Sequence, residues 1–582
     1  MLNSRSRGAV LVLAVALLVC APARSQQTVG LFTNDDPQEG LILFGPNAAT
    51  TTYLINNDGL LVNSWSTPYR PALMGYLLDS GHLLRTARVA NTPSNFTGAA
   101  GRGGRVEEYD WDGNLVWAFE YVGETYLPHH DIEPLPNGNV LMIAWEYLSL
   151  AEVIAEGKNP LVYSGGQWVD HIIEVRPVPP FGGEIVWEWR ARDHLVQDYD
   201  PGANNYGVVE DHPELVDFNF GQNARDWTHF NGIAYNAELD QIVVSSRGLN
   251  EIWVIDHSTT TEEAAGHSGG VRGKGGDLLY RWGNPRAYRR GGAADQELFG
   301  QHDPQWIPAG FPGAGHLLVF NNASAQSLGT FSSVDEFVPP VDVDGNYPVL
   351  APAEKFGPSS LFWTFVGDPP ESLFSENISG AQRQPNGNTL ICEGASGHLL
   401  EVRPDGQVVW DYISPVVSGT PINQGDPVRT NAVFKARRYP LDHPGLAGRD
   451  LTPGDPVEGF TRPFPVPGGS LLAARVATDG ATIDVEWDAF GCSSFDYNLI
   501  YGDLATVSSH ALTGAECGIG VTGGHLWTGV PDSDLFFLIV GTDDLGVYES
   551  SWGLDSAGSE RSGTKASFLC GATTKIVTSS CP

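Results

Sequence analysis

Short apolar runs come in pairs along this chain, each pair joined by a polar turn. The clearest pair opens at His129-His130-Asp131, turns at Pro136-Asn137-Gly138 and continues through the apolar run 140–143. Brief apolar runs bounded by Gly, Pro and Asn predict strands, and Asn-Gly between two of them predicts a hairpin. The pattern returns at His229-Phe230-Asn231 before 241–244, and at Gln301-His302-Asp303 before 316–320. It returns again at Ser379-Gly380-Ala381-Gln382 before Asn386-Gly387 and 389–392, and a weaker copy covers 76–85. A second pattern alternates with the first: a strand, an Asp-Gly turn, and a strand ending in Trp. It gives Tyr53 to Asp58-Gly59 to Trp65, Val106 to Asp112-Gly113 to Trp117, and Leu400 to Asp405-Gly406 to Trp410. Looser versions end at Trp187, Trp282 and Trp363.

One copy of each pattern makes two hairpins, hence four strands. Recurrent four-stranded units predict a β-propeller. The six tryptophans at one place in the repeat predict six blades, the last closed by strands from both chain ends, with 431–435 as the candidate closing strand. Residues 190–228 and 257–276 read as insertions. No long stretch has a 3.6-residue apolar period, so the expected class is all-β. The pattern stops near residue 440, and 451–469, rich in Pro, Gly and Asp, reads as a linker. From 470 to 582 a new alternation of short strands predicts a small fibronectin-like β-sandwich, an accessory module.

Residues 1–25 read as a signal peptide: Arg5 and Arg7, a short apolar stretch, then Ala21-Pro22-Ala23. A propeller over 26–450 would follow it, placed in the periplasm or outside the cell. No later stretch is long and apolar enough for a membrane helix. A net charge of −36 argues against nucleic-acid partners and anionic membrane surfaces, and requires a local positive site for any anionic substrate. Cys492, Cys517, Cys570 and Cys581 predict up to two disulfides, most simply 492–517 and 570–581. Cys392, alone in an apolar strand, reads as a buried thiol.

In an antiparallel hairpin the start of the first strand meets the end of the second. This brings His129, His130 and Asp131 to Glu146, His229 and Asn231 to Arg247, and His302 and Asp303 to Asn322; the weak copy adds Arg88. With the first pattern innermost, these groups ring one mouth of the central channel, a common place for a ligand. One His-Asp at a strand start is ordinarily a structural hydrogen bond. Three at matched positions favour a functional ring. The histidines come from different repeats without short ligand spacing, so no metal and no cofactor is expected. Asp342-Val343-Asp344-Gly345-Asn346 lacks the closing Glu of a calcium loop and reads as a turn.

The motifs Tyr53-Leu54-Ile55 with Asp58-Gly59 and Trp65, His129-His130-Asp131 with Pro136-Asn137-Gly138, Trp227-Thr228-His229-Phe230-Asn231 with Ser246-Arg247, Gln301-His302-Asp303, and Pro385-Asn386-Gly387 resemble bacterial arylsulfotransferases over roughly residues 28–450. The resemblance implies a six-bladed, exported enzyme that uses no nucleotide donor. Such an enzyme moves a sulfuryl group from a phenolic sulfate to a phenol through a sulfated histidine. Among the catalytic candidates His302, His229 and His130, the motifs of His229 and His302 match functional histidines of the family. Arg247, Asn231, Asn322, Arg88, Glu146 and Asp303 are the candidate substrate-binding groups. The sequence departs from the family at two places. Asn321-Asn322 stands where the family has an arginine, and Ile378-Ser379-Gly380 where it has a nucleophilic histidine. His302 or His130 could then serve as nucleophile. Alternative readings are a hydrolase using the same ring and a secreted, non-catalytic binding propeller. Expected partners are a phenolic sulfate and a phenol, and a homodimer stays open.

Overall fold

The computed structural model describes residues 27–221, 224–323, 331–458, 471–476, 482–487, 494–528, 530–531, 534–543, 546–552 and 560–577. The signal segment, most of the linker, and Cys20, Cys492 and Cys581 lie outside them. The chain is mainly β, in many small antiparallel sheets, and divides into compact units, one of which is Thr28–Gly459.

That unit holds six antiparallel sheets of four or five strands. Sheet 1 runs Val433–Tyr439, Leu41–Pro46, Thr51–Ile55, Leu61–Ser66, so the closing strand comes from the far end of the unit. Sheet 2 holds Pro71–Leu77, Leu83–Arg88, Gly104–Tyr109 and Leu115–Glu120. Sheet 3 holds Tyr126–Pro134, Val140–Leu148, Gln167–Pro177 and Gly183–Arg190. Sheet 4 holds Phe230–Asn236, Gln241–Ser246, Glu251–Asp256 and Tyr280–Trp282. Sheet 5 holds His302–Trp306, Leu317–Asn321, Ser333–Phe337 and Trp363–Phe365. Sheet 6 holds Gly380–Arg383, Thr389–Glu393, His398–Val402 and Val408–Ile413, edged by Gly30–Asn34. The hairpins form where the sequence places them. Gly138 and Gly387 adopt φ of +85° and +92°, the left-handed turn position that glycine fills without strain.

The six tryptophans all lie in fourth strands, and each indole donates to the sheet that follows. Trp65 reaches Asp110 O (2.8 Å), Trp117 reaches Gly182 O (2.7 Å), and Trp187 reaches Thr259 Oγ1 (3.1 Å). Trp282 reaches Pro358 O (3.0 Å), Trp363 reaches Pro404 O (2.9 Å), and Trp410 returns to Asn57 O of sheet 1 (2.8 Å). The chain of bonds is therefore cyclic. First strands are neighbours in the same order, with Val433–Tyr439 between Gly380–Arg383 and Pro71–Leu77. Apolar side chains fill the spaces between sheets, as with Leu141, Ile143, Trp187, Phe230, Val244 and Trp253 between sheets 3 and 4. Each buried indole contributes its apolar area, and its bond adds a net of about 1 kcal/mol.

Five first strands carry a β-bulge near one end: between Pro71 and Gly75, opposite Met142/Ala144, between Phe230 and Ile233, between His302 and Gln305, and between Val433 and Ala436. At or beside these bulges His130, His229 and Asp303 take left-handed φ of +52°, +48° and +55°. A bulge leaves residues unpaired and re-aims their side chains. Left-handed backbone at a residue other than glycine is a strain the surroundings must hold, and it clusters at functional sites.

In the C-terminal part, Thr482–Trp487 pairs with Leu471–Val476 and Gly524–Thr528, and Asp496–Asp503 pairs with Gly514–Glu516 and Leu535–Thr542. The two sheets share a core of Val485, Trp487, Tyr497, Leu499, Trp527 and Ile539. The disulfide here joins Cys517 to Cys570, Cα atoms 5.5 Å apart. This corrects the 492–517 and 570–581 pairings: the sheet folds distant segments together, and sequence proximity is no guide to which sulfurs meet. Cys392 is a free, buried thiol.

Candidate functional site

The bulged strand ends of sheets 3 to 5 bring His130, His229 and His302 together. His130 and His229 lie ring to ring, centroids 4.9 Å apart, and Phe434 of the closing strand faces His130 at 6.0 Å and His302 at 6.2 Å. Each histidine is held differently.

His229 Nδ1 lies 2.6 Å from Asp226 Oδ2, and Trp145 Nε1 donates to the other oxygen at 2.9 Å. The carboxylate accepts, so Nδ1 carries the proton and Nε2 keeps its lone pair. That Nε2 has no partner among the described residues, and the side chain keeps 16% exposure, enough for a ligand to reach it. Burial raises Asp226, but its contacts with His229 and the Trp145 indole outweigh this and hold it below the usual carboxylate range. The backbone N–H of Arg247 donates to His229 O (3.1 Å), while the half-buried Arg247 guanidinium makes no hydrogen bond among the described residues. Burial lowers its pKa and Asp226 opposes the change; it stays charged.

His130 ends a chain of three groups. His129 Nε2 meets Asp170 Oδ1 (2.6 Å), and His129 Nδ1 meets His130 Nδ1 (2.7 Å). With Asp170 accepting from His129 Nε2–H, His129 Nδ1 accepts from His130 Nδ1–H, leaving a lone pair on His130 Nε2. Trp145 stacks on His129, centroids 3.9 Å apart, and so joins this chain to the Asp226–His229 pair. Burial lowers His129 to about 3, and burial with the charges of its neighbours puts His130 well below its ordinary value, so both are neutral near pH 7. Gly101 covers the far edge of His130: a Cβ there would sit 2.4 Å from Nε2.

His302 is fully occupied. Nδ1 donates to Asn322 Oδ1 (2.7 Å), and Nε2 accepts from the Ile378 amide (3.2 Å). Asn322 Nδ2 passes on to Ser379 Oγ (3.1 Å), which is fully buried. The two positions that depart from the family thus form one neutral, closed contact with His302.

Beneath the rim, Lys435 Nζ lies 2.6 Å from Asp131 Oδ2 and 2.7 Å from Asp303 Oδ1. Burial disfavours the ammonium, but both carboxylates outweigh it and raise Lys435. Tyr76 donates to Asp131 (3.2 Å), and Arg437 approaches Asp303 (3.6 Å). Asp303 is therefore part of a buried ion cluster. Glu146 alternates with Trp145 along its strand and pairs with Arg190 (3.2 Å) and Arg192 (2.9 Å). Asn231 donates to Gln301 O (2.9 Å) and is fully buried. Arg88 Nε donates to Pro71 O (3.1 Å), with the charges of Arg102 and Arg70 nearby lowering its pKa after burial. Asp226, Asp170, Phe434 and Lys435 were not picked out by the repeat. Asp226 lies three residues before His229, a spacing that could have marked it.

Of the rim imidazoles, His130 and His229 each keep one nitrogen without a protein partner among the described residues, fewer ligands than a metal centre normally takes from protein.

A family model described as Arylsulfotransferase (ASST) matches residues 91–408, more than half the chain and all three rim histidines. The chain belongs to the arylsulfotransferase family. No curated protein matches it. Solved structures similar to it include a protein of unknown function from Bacteroides caccae (12% identity, 69% of this chain and 99% of that one, TM-score 0.37). Another is a functionally unknown protein from Desulfotomaculum acetoxidans (10% identity, 69% and 99%, TM-score 0.33). A third is a protein from Lactobacillus plantarum (8% identity, 86% and 99%, TM-score 0.33). These three likenesses say nothing about activity. His130 and His229, the imidazoles with a nitrogen free of protein partners among the described residues, lie on sheets 3 and 4, while His302 of sheet 5 is held by Asn322 and Ile378.

Proposed function

We propose that the six sheets are the blades of a propeller, and that its mouth transfers a sulfuryl group from a phenolic sulfate to a phenol with His229 as nucleophile. The observation that carries this reading is the Asp226–His229 pair, which leaves Nε2 without a protein partner among the described residues, on the strand end whose backbone is bonded to that of Arg247. A positioned neutral imidazole is a competent nucleophile. Nε2 attacks sulfur, the N–S bond forms as the S–O(aryl) bond breaks, and the phenolate leaves. Arg247 holds the sulfate oxygens through the transition state, where a fixed cation in a partly buried site is most effective. His130, 4.9 Å from His229 by ring centroid, takes the proton of the incoming phenol as its oxygen attacks the sulfur, the new S–O(aryl) bond forming as the N–S bond breaks. That proton ends on the departed phenolate, and His229 is restored. The chain is further proposed to act after export, as its N-terminal pattern suggests.

The test is turnover of a nitrophenyl sulfate with and without a second phenol. Release that depends on the phenol, with the sulfated phenol as product, supports the reading. Release to water at the same rate would replace it with hydrolysis.

A further inference from the structure

Away from the rim, two insertions meet at a cluster of ligand-type side chains. His194 ends the short turn Ala191–His194 after sheet 3, while His267 and Asp277 flank the glycine-rich stretch that follows helix Thr261–Ala264 in sheet 4. His194 is fully buried and stacks on Trp189, centroids 5.4 Å apart. Its Nε2 lies 2.9 Å from Ala264 O. A carbonyl only accepts, so Nε2 carries a proton, and in its neutral form the ring offers Nδ1 as a lone pair. That lone pair points at Asp277 Oδ1 (2.9 Å), and His267 Nδ1 meets the same oxygen at 2.7 Å. The three ligand atoms lie within 4.8 Å of one another. A lone pair facing a buried carboxylate requires positive charge between them. Gly276 makes the close approach possible, since a Cβ there would sit 2.6 Å from His194 Nε2. His267 and Asp277 also line an open cavity of about 470 Å³.

We propose that His194, His267 and Asp277 bind a divalent first-row transition cation, with water from this cavity completing the shell. Two imidazole nitrogens and one carboxylate suit zinc, whereas calcium and magnesium take oxygen ligands. Zinc bonds of about 2.0–2.1 Å in a tetrahedron separate ligand atoms by roughly 3.3 Å, so the cluster opens by about 0.5 Å. His267, 60% exposed, is free to move that far. The ion would tie the insertion after sheet 3 to the loop of sheet 4 and uses no rim residue.

A proton on His194 would satisfy the same contacts, and the experiment separates the two. The full chain, stripped with a chelator, is titrated with zinc by calorimetry and counted by elemental analysis, with the melting temperature followed in parallel. One zinc per chain and a raised midpoint are expected. His267→Ala removes an exposed side chain and should weaken binding by about a hundredfold with the apo midpoint unchanged. Asp277→Asn should also weaken it. Absence of stoichiometric zinc, or equal binding by His267→Ala, overturns the proposal.

Discussion

Replacing Asp226 by Asn probes the role of His229 without emptying the site. The indole of Trp145 can only donate, so it selects the carboxamide oxygen of the new residue and turns the NH2 group toward His229 Nδ1. An NH2 group only donates. Nδ1 must then accept, and the ring proton moves to Nε2, where the attacking lone pair had been. The same exchange in a Ser-His-Asp triad costs roughly 10⁴ in turnover through the wrong tautomer. At 1.36 kcal/mol per tenfold, the barrier rises by about 5 kcal/mol. Both hydrogen bonds of residue 226 survive, so folding should not suffer. The assay is initial-rate transfer from nitrophenyl sulfate to a phenol, with circular dichroism and the melting temperature as controls. A fall of about three to four orders of magnitude in kcat/KM, with the melt unchanged, is expected. Activity within about threefold of wild type would refute the tautomer argument.

Gly101→Ala puts a Cβ 2.4 Å from His130 Nε2 at a φ of +74°; transfer should fall at least about tenfold, with a stability loss of about 1–2 kcal/mol, read by kinetics and denaturant melts. Lys435→Met leaves Asp131 and Asp303 buried without their shared cation and should cost about 3–5 kcal/mol in urea unfolding; a loss below about 1 kcal/mol would contradict the ion cluster. His257 lies between Asp240 (2.7 Å) and Glu174 (2.9 Å); burial works against its charge, but the two hydrogen bonds prevail and raise it to about 9. The folded pKa exceeds the unfolded one, so this contribution, about 3 kcal/mol, is complete below pH 6.5 and lost as pH rises through 9. Thermal melts across that window should drop in wild type and flatten in His257→Gln.

The six-sheet order was legible because Trp65, Trp117, Trp187, Trp282, Trp363 and Trp410 repeat for a local reason: each closes its fourth strand against the next sheet. The closing strand was legible from its apolar run beside the first repeat. The gathering of His130 and His229 followed from hairpin geometry. Residues that meet across sheets were not legible. Asp170 lies on a third strand, 41 residues from His129, and no period links them. Asp303 shares its motif with His302, yet the bulge turns it inward to Lys435, a residue from the far end of the unit. Glu146 follows Trp145 and so faces the other side of the sheet. The disulfide partner of Cys517 lies 53 residues further on, brought near by segments of one sheet, which local patterning does not encode.

The central claim is that the sulfuryl group rests on His229. Tryptic cleavage after Arg225 and Arg247 isolates a fragment whose one histidine is His229. The enzyme is mixed with a phenolic sulfate without acceptor, quenched at alkaline pH and digested. The fragment should carry one added SO3 group that disappears when a phenol is supplied before quenching. Label on the fragment holding His130 or His302, with 226–247 unmodified during turnover, would contradict the account.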